Sequence, residues 1–209
     1  MREYKCKICR RLGEKLFLKG ERCFSPKCAM VKRPYPPGPS KKRRSGPPSK
    51  FKESLVEKQK LRNLYGLSER QFKRYVKETL AKMGRVQDVG EELIKKLEMR
   101  LDNVVFRLGF VASRDQARQL VSHAFFLVND KPINVPSFLV KKNDVIKIKE
   151  SKKQKAIFKD LKNSLKRHNP PSWLSLDKDK LEAKVIGEPT LAEVKPPVEI
   201  SLIFEFYSK

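Results

Sequence analysis

The chain has 209 residues, with 49 Lys or Arg against 24 Asp or Glu, for a formal charge of +25. At this length one to three small domains with a real core are expected, the 39% apolar content is low and the 35% charged content high, and no apolar run nears the roughly 18–20 residues of a membrane span. Met1 leads into a polar, cysteine-bearing stretch rather than a signal peptide, and two histidines with no phosphate-cradling glycine motif weigh against an enzyme, so a polyanion is the expected partner.

The charge is uneven. Residues 1–50 hold 16 basic and 3 acidic side chains, a net of +13, whereas 51–98, 99–150 and 151–209 carry +4 each. A basic arm of this kind neutralises phosphates. All four cysteines lie in the same quarter as Cys6-x2-Cys9-x13-Cys23-x4-Cys28. Two short spacings place each pair on a knuckle, and four thiolates at about 2.3 Å suit one structural zinc ion with no open position for water. An iron–sulfur cluster is the other metal reading. Disulfides are disfavoured in a chain without a secretory signal.

Residues 34–50 contain six prolines among lysines and arginines, an extended segment at a domain boundary. A first helix is expected from Phe51 to Leu64, ended by Tyr65-Gly66. Ser68 with Gln71 resembles a capping box opening a second, which carries Phe72, Val76, Leu80 and Met83 and stops near Gly84. A third runs from Gly90 through Leu93, Leu97, Leu101, Val105 and Leu108 to Gly109. Ser113 caps a short helix with Arg114 and Arg118 on one face. Phe125–Val128 is a strand turning at Asn129-Asp130, and 144–149 is another. Residues 155–163 read as a short helix and 181–186 as a strand. The tail alternates at Val198, Ile200, Leu202, Phe204 and Phe206 like a strand, yet Leu202-Ile203 with Phe206-Tyr207 also fits a helix.

One run stands apart: Arg100-Leu101-Asp102-Asn103-Val104-Val105-Phe106-Arg107-Leu108-Gly109-Phe110, then Ser113-Arg114-Asp115-Gln116-Ala117-Arg118-Gln119-Leu120-Val121-Ser122-His123, then Phe126 to Lys131. A small helical face with two arginines and amides beside a short sheet can grip phosphates bidentately. This run resembles the RNA-binding domain of the bacterial small-subunit ribosomal protein four family. The resemblance extends to Arg33-Pro34-Tyr35-Pro36-Pro37-Gly38, Glu57 to Arg62, Gln71 to Tyr75 and the C-terminal Pro197–Lys209, so it covers essentially the whole chain. The cysteine knuckle is similar to that of the family's zinc-bearing members. Ala124 and Asp130 stand where the family usually has glycine, and Pro39-Ser40 departs from its usual run.

The resemblance implies an α+β fold with three parts: a zinc knuckle and basic arm over 1–46, a helical domain over 47–97 plus 192–209, and an inserted RNA-binding domain over 98–191. It favours a helix for 199–207. It also implies a structural, cytoplasmic constituent of the small ribosomal subunit. Such a protein binds small-subunit rRNA first and nucleates the 5′ domain, near where mRNA enters and beside small-subunit proteins three and five. Neither a membrane nor a homo-oligomer is expected. The residues expected to face RNA are Tyr35, Lys41, Lys42, Arg43, Arg44 and Lys50 in the arm, and Arg100, Arg107, Arg114, Arg118, Gln119, His123 and Lys131 in the inserted domain. Tyr35 is equally readable as a loop anchor and His123 as a structural histidine. Arg114 and Arg118 could instead form surface pairs with Asp115, and Asp102 could pair with a neighbour. The rivals are an RNA-modifying enzyme, for which no catalytic domain is found, and a zinc-containing DNA-binding regulator.

Overall fold

A computed structural model describes residues 5–39, 47 and 49–208. The chain forms two compact units, Met1–Leu93 with Pro196–Lys209, and Ile94–Lys195.

The first unit opens on α1 (Lys5–Leu12), a 3-10 turn (Gly20–Cys23) and α2 (Ala29–Lys32). Two longer helices follow, α3 (Lys50–Leu64) and α4 (Glu69–Leu80). Their starts are set by serine caps: Ser49 accepts from the Lys52 N–H at 3.3 Å, and Ser68 from the Gln71 N–H at 3.3 Å. The expected capping box is half formed, since the Gln71 amide donates to the Tyr75 hydroxyl at 3.3 Å. The second helix also stops earlier than Gly84. Ala81 ends it, and Gly84 sits beyond in a left-handed conformation.

The second unit holds the whole five-stranded sheet and the larger core. The expected third helix is two helices, α5 (Val89–Glu98), which begins in the first unit, and α6 (Leu101–Arg107). The break is tertiary in origin. Arg100 is extended (φ −69°, ψ 136°) and bridges Leu139, the Leu101 N–H donates to the Phe138 carbonyl at 2.8 Å, and the Val140 N–H donates to the Met99 carbonyl at 2.9 Å. Helix-type periodicity continues across the break, which hides it from the sequence.

Ser113 caps α7 (Arg114–Ser122), accepting from the Gln116 N–H. The strands β1 (Phe126–Val128), β2 (Lys131–Ile133) and β3 (Val145–Ile148) precede α8 (Glu150–Lys153), a 3-10 turn (Ala156–Phe158) and α9 (Leu161–Lys166). Thus the single helix expected over 155–163 is a 3-10 turn and a separate helix. β4 (Leu174–Asp177), β5 (Glu182–Val185) and α10 (Leu191–Val194) complete the unit. The sheet is antiparallel in the order β2-β1-β3-β5-β4, with Phe126 opposite both Ile133 and Ile148. Phe126, Ile146, Ile148, Val104, Val105 and Leu108 are buried in one core. The two departures from glycine keep a glycine-like backbone: Ala124 has φ 52°, and Asn129 and Asp130 have φ 50° and 64°. The β1–β2 connection therefore remains a hairpin turn with both central residues left-handed.

The chain returns to the first unit as α11 (Ile200–Ser208), a helix as the resemblance implied rather than the strand that alternation allowed. Ile203 is fully buried, Phe206 packs on Phe51 at 5.6 Å, and the Tyr207 hydroxyl donates to Glu69 at 2.7 Å. Among the described residues no helix is long and apolar enough to cross a membrane.

Candidate nucleic-acid interface

The inserted unit organises its arginines around three buried acceptors. Glu98 at the end of α5 has no exposed surface, and Asp102 and Asn103 in the first turn of α6 are 3% and 1% exposed. Arg107, one helical stretch further on, donates from Nε to Glu98 Oε2 and from Nη2 to Oε1, both at 2.8 Å. This two-toothed pairing fixes the plane of the guanidinium as well as its position. Asn103 donates its amide to the same Glu98 Oε2 at 2.7 Å and, through Oδ1, accepts from Arg114 Nε at 2.7 Å. Arg114 also lies over the Phe106 ring at 4.5 Å.

Asp102 serves the other two. Arg100 donates to it from Nε at 3.1 Å and from Nη2 at 2.8 Å, and Arg118 adds bonds of 3.1 and 2.8 Å to Oδ2. Four guanidinium groups are thus gathered on two carboxylates and one amide. Arg107 and Arg118 keep 29% and 32% of their side-chain surface exposed.

The arginine expectations resolve unevenly. Arg107, Arg114 and Arg118 come together at the surface. Arg100 does not face outward: at 2% exposure it is an interior residue, because the extended backbone at the α5–α6 break turns its side chain onto Asp102. Arg118 pairs with the buried Asp102. Gln119 lies exposed on α7, His123 is the exposed residue closing that helix, and Lys131 is exposed at the start of β2. Glu98 and Asn103 were not singled out from the sequence. The available signal was polar side chains embedded in an apolar-periodic run, close to arginines.

In the arm, Lys41, Lys42, Arg43 and Arg44 lie outside the described residues, and Lys50 is exposed at the start of α3. Tyr35 is 56% exposed, with one ring face under the Arg10 guanidinium at 4.9 Å and its carbonyl accepting from Arg10 Nε at 2.9 Å.

The four cysteines are free thiols, three of them buried and Cys6 half-buried. They line one small cavity of about 20 Å³, Cys6 and Cys9 from α1, Cys23 from the 3-10 turn and Cys28 from the residue before α2. The Lys19 N–H donates to Cys23 Sγ at 3.3 Å. Burial pushes the Cys9 thiol up, a bond from the Leu16 backbone opposes this, and the neighbouring Cys23, Cys6 and Cys28 add to the rise. Among the described residues no group of three or more His, Cys, Asp or Glu is arranged to hold a metal ion. The four thiols line one cavity, but their side chains are not closed upon a common point.

Comparison with known proteins gives this arrangement its context. Residues 1–98 match the family described as ribosomal protein S4/S9 N-terminal domain, and residues 99–146 match the S4 domain. Small ribosomal subunit protein uS4 of Halothermothrix orenii is 47% identical over 204 residues, spanning 98% of this chain and 96% of that protein. Its counterparts in Caldicellulosiruptor saccharolyticus and Solidesulfovibrio magneticus are 48% and 45% identical, covering 98% and 99% of this chain and 96% and 98% of their own lengths.

The chain belongs to the uS4 family of small ribosomal subunit proteins. The two uS4 family matches meet between Glu98 and Met99, at the break between α5 and α6. Glu98, the last residue of the first match, thus clamps Arg107 of the second. Within the uS4 frame the arginine cluster falls inside the S4-domain match, together with α7 and the hairpin.

Proposed function

We infer that this chain is a non-enzymatic structural constituent of the small ribosomal subunit and that it binds 16S-type rRNA directly. Family membership over nearly its full length carries this reading. The arginine cluster supplies the chemistry: planar guanidinium groups held at fixed angles suit phosphate oxygens along folded RNA, whose deep groove is closed to side chains. The first quarter of the chain, with its net +13 shared between the cysteine-bearing segment and the basic arm, neutralises phosphates with less regard to geometry.

In this role the protein nucleates the 5′ domain of the rRNA, lies near where mRNA enters, and neighbours small-subunit proteins three and five. Those partners rest on the family resemblance alone. In this proposal Tyr35 and Lys50 in the first unit and Arg107, Arg114, Arg118, Gln119, His123 and Lys131 in the second contact RNA. Arg100 supports them from inside through Asp102. Sedimentation tests the reading: the protein travels with the small subunit through a high-salt gradient, and its release into the free fraction would contradict it.

Cys6, Cys9, Cys23 and Cys28 hold one structural zinc ion in this proposal. Convergence of four free thiols on one cavity and the amide bond to Cys23 support the donor set. With zinc bound, the four sulfurs would be held as thiolates, and Cys6 and Cys9 of α1 would be joined to Cys23 and Cys28. Metal analysis of freshly purified protein is expected to give one zinc per chain, falling on Cys23→Ser. Protein with neither zinc nor iron would overturn the assignment.

A further inference from the structure

Two aromatic rings on the cysteine-bearing segment keep much of their surface in solvent. Phe17 and Phe24 flank the 3-10 turn, and their rings stack with centroids 4.9 Å apart and planes 25° from parallel. Phe24 is 76% exposed and Phe17 42% exposed. Phe17 moreover adopts φ 51°, a left-handed conformation that is costly for a bulky residue. Phe17 is partly buried against the cysteine cavity, while Phe24 leaves three quarters of its surface in solvent.

The surroundings select the partner. Residues 5–33 hold ten basic and two acidic side chains, and Glu14, one of the two, is engaged by Lys60 at 2.8 Å. Lys15 and Lys19 line the same cavity mouth as Phe17, and Arg22 lies in the turn between the rings. A second copy of this chain is opposed by a charge of +25 on each. An unpaired nucleotide fits both features at once, with a π-face for the ring and a phosphate for the adjacent cations.

We propose that Phe17 and Phe24 form a stacking platform for an unpaired rRNA base, with Phe24 as the outer ring that meets it. The proposal rests on the rRNA-binding reading above and adds a base contact that the arginine cluster does not supply. Phe17 backs one face of Phe24, while the lysines beside it steer the backbone of the same nucleotide.

The test is a titration of the full chain with a 16S rRNA 5′-domain transcript at fixed salt, using Phe24→Trp, Phe24→Leu and Phe24→Ala. Because Phe24 is largely exposed, each variant is expected to keep the wild-type melting temperature. Tryptophan should bind at least as tightly as the wild type, and its emission should be quenched by the RNA. Leucine and alanine should both lose about 5- to 150-fold in affinity, the range for one base–aromatic stack. Leucine retaining wild-type affinity would mark a merely apolar contact, as for a protein partner, and overturn the platform. Equal affinity for all four chains would do the same. Absence of rRNA binding by the wild-type chain would instead remove the underlying reading, so the two failures are distinguishable.

Discussion

Arg107 closes on Glu98 through two bonds of 2.8 Å, and the carboxylate it grips has no solvent exposure at all. A buried acid beneath a half-exposed arginine is an arrangement for aiming a cation rather than for gaining net stability. The cost of desolvating such a pair commonly cancels its attraction. What the pair provides is orientation: the guanidinium reaches the surface with its rotamer already chosen, so less entropy is lost when RNA is bound.

Removing one partner alone is a different matter, because it strands a buried charge, and this makes Asp102 a stability residue. It is 3% exposed and carries the opposite charge for both Arg100 and Arg118. Asp102→Asn is expected to cost about 3–5 kcal/mol, the range for removing one partner of a buried ion pair. Urea unfolding measures this, and an unchanged midpoint would contradict the network.

Arg114 and Arg118 should act on affinity. Each alanine substitution is expected to weaken rRNA binding by about 1.5–3 kcal/mol at constant salt, as for charge-assisted hydrogen bonds. Filter binding on refolding-competent protein is sufficient. A loss no larger than that of an exposed lysine elsewhere would show that these groups contribute only bulk charge.

Ala124 closes α7 with φ 52°, and the Phe125 N–H reaches back to the Leu120 carbonyl at 3.1 Å. This is a helix stop in which glycine is preferred. A left-handed alanine costs roughly 1–2 kcal/mol, and glycine returns about 0.4–1 kcal/mol of that through unfolded-state entropy. Ala124→Gly is therefore expected to stabilise the protein by about 0.5–1 kcal/mol. A lower thermal midpoint would argue against the strain.

The tail helix gives a pH dependence. Burial alone would raise the Glu69 carboxyl, but bonds from Lys58 and Tyr207 and the Lys58 and Arg62 charges prevail and hold it below the usual 4.5. Tyr207 is pushed above its usual 10.0 by burial first and then by Glu69. The depressed carboxyl contributes stability above pH about 4.5 that is lost as pH falls through its folded value. The raised phenol contributes stability below pH about 10 that is lost as pH rises through its own folded value. Tyr207→Phe should flatten the alkaline limb of the stability profile and shrink the acid one. Superimposable profiles for the two proteins would contradict the coupling.

Much of this was legible before any coordinates. Serine caps, apolar periodicity and the Asn129-Asp130 turn are local signals, and α3, α4, α7 and β1 follow from them. The α5–α6 break was not legible, because no glycine or proline marks it and the hydrogen bonds that impose it come from residues 136–139 and Val140. That single miss hid the arrangement of the site. With one continuous helix, Arg100 and Arg107 share a face and both look outward. With the break, Arg100 turns inward to Asp102, and Glu98 is left free to clamp Arg107 from below. Pairings across nine to sixteen positions depend on where helices end in space, which periodicity does not encode. The tail shows the opposite case: alternation alone left strand and helix open, and only the resemblance to a family chose α11.

The role of Glu98 is the sharpest test. Glu98→Gln removes a negative charge from beneath a cationic surface, so bulk electrostatics alone would make rRNA binding tighter. If the carboxylate positions Arg107, affinity for the rRNA 5′-domain transcript at fixed salt falls instead, by about tenfold, or roughly 1.4 kcal/mol, in protein shown by its melting curve to be folded. Equal or tighter binding by folded Glu98→Gln protein would contradict an interface built on arginines aimed from within.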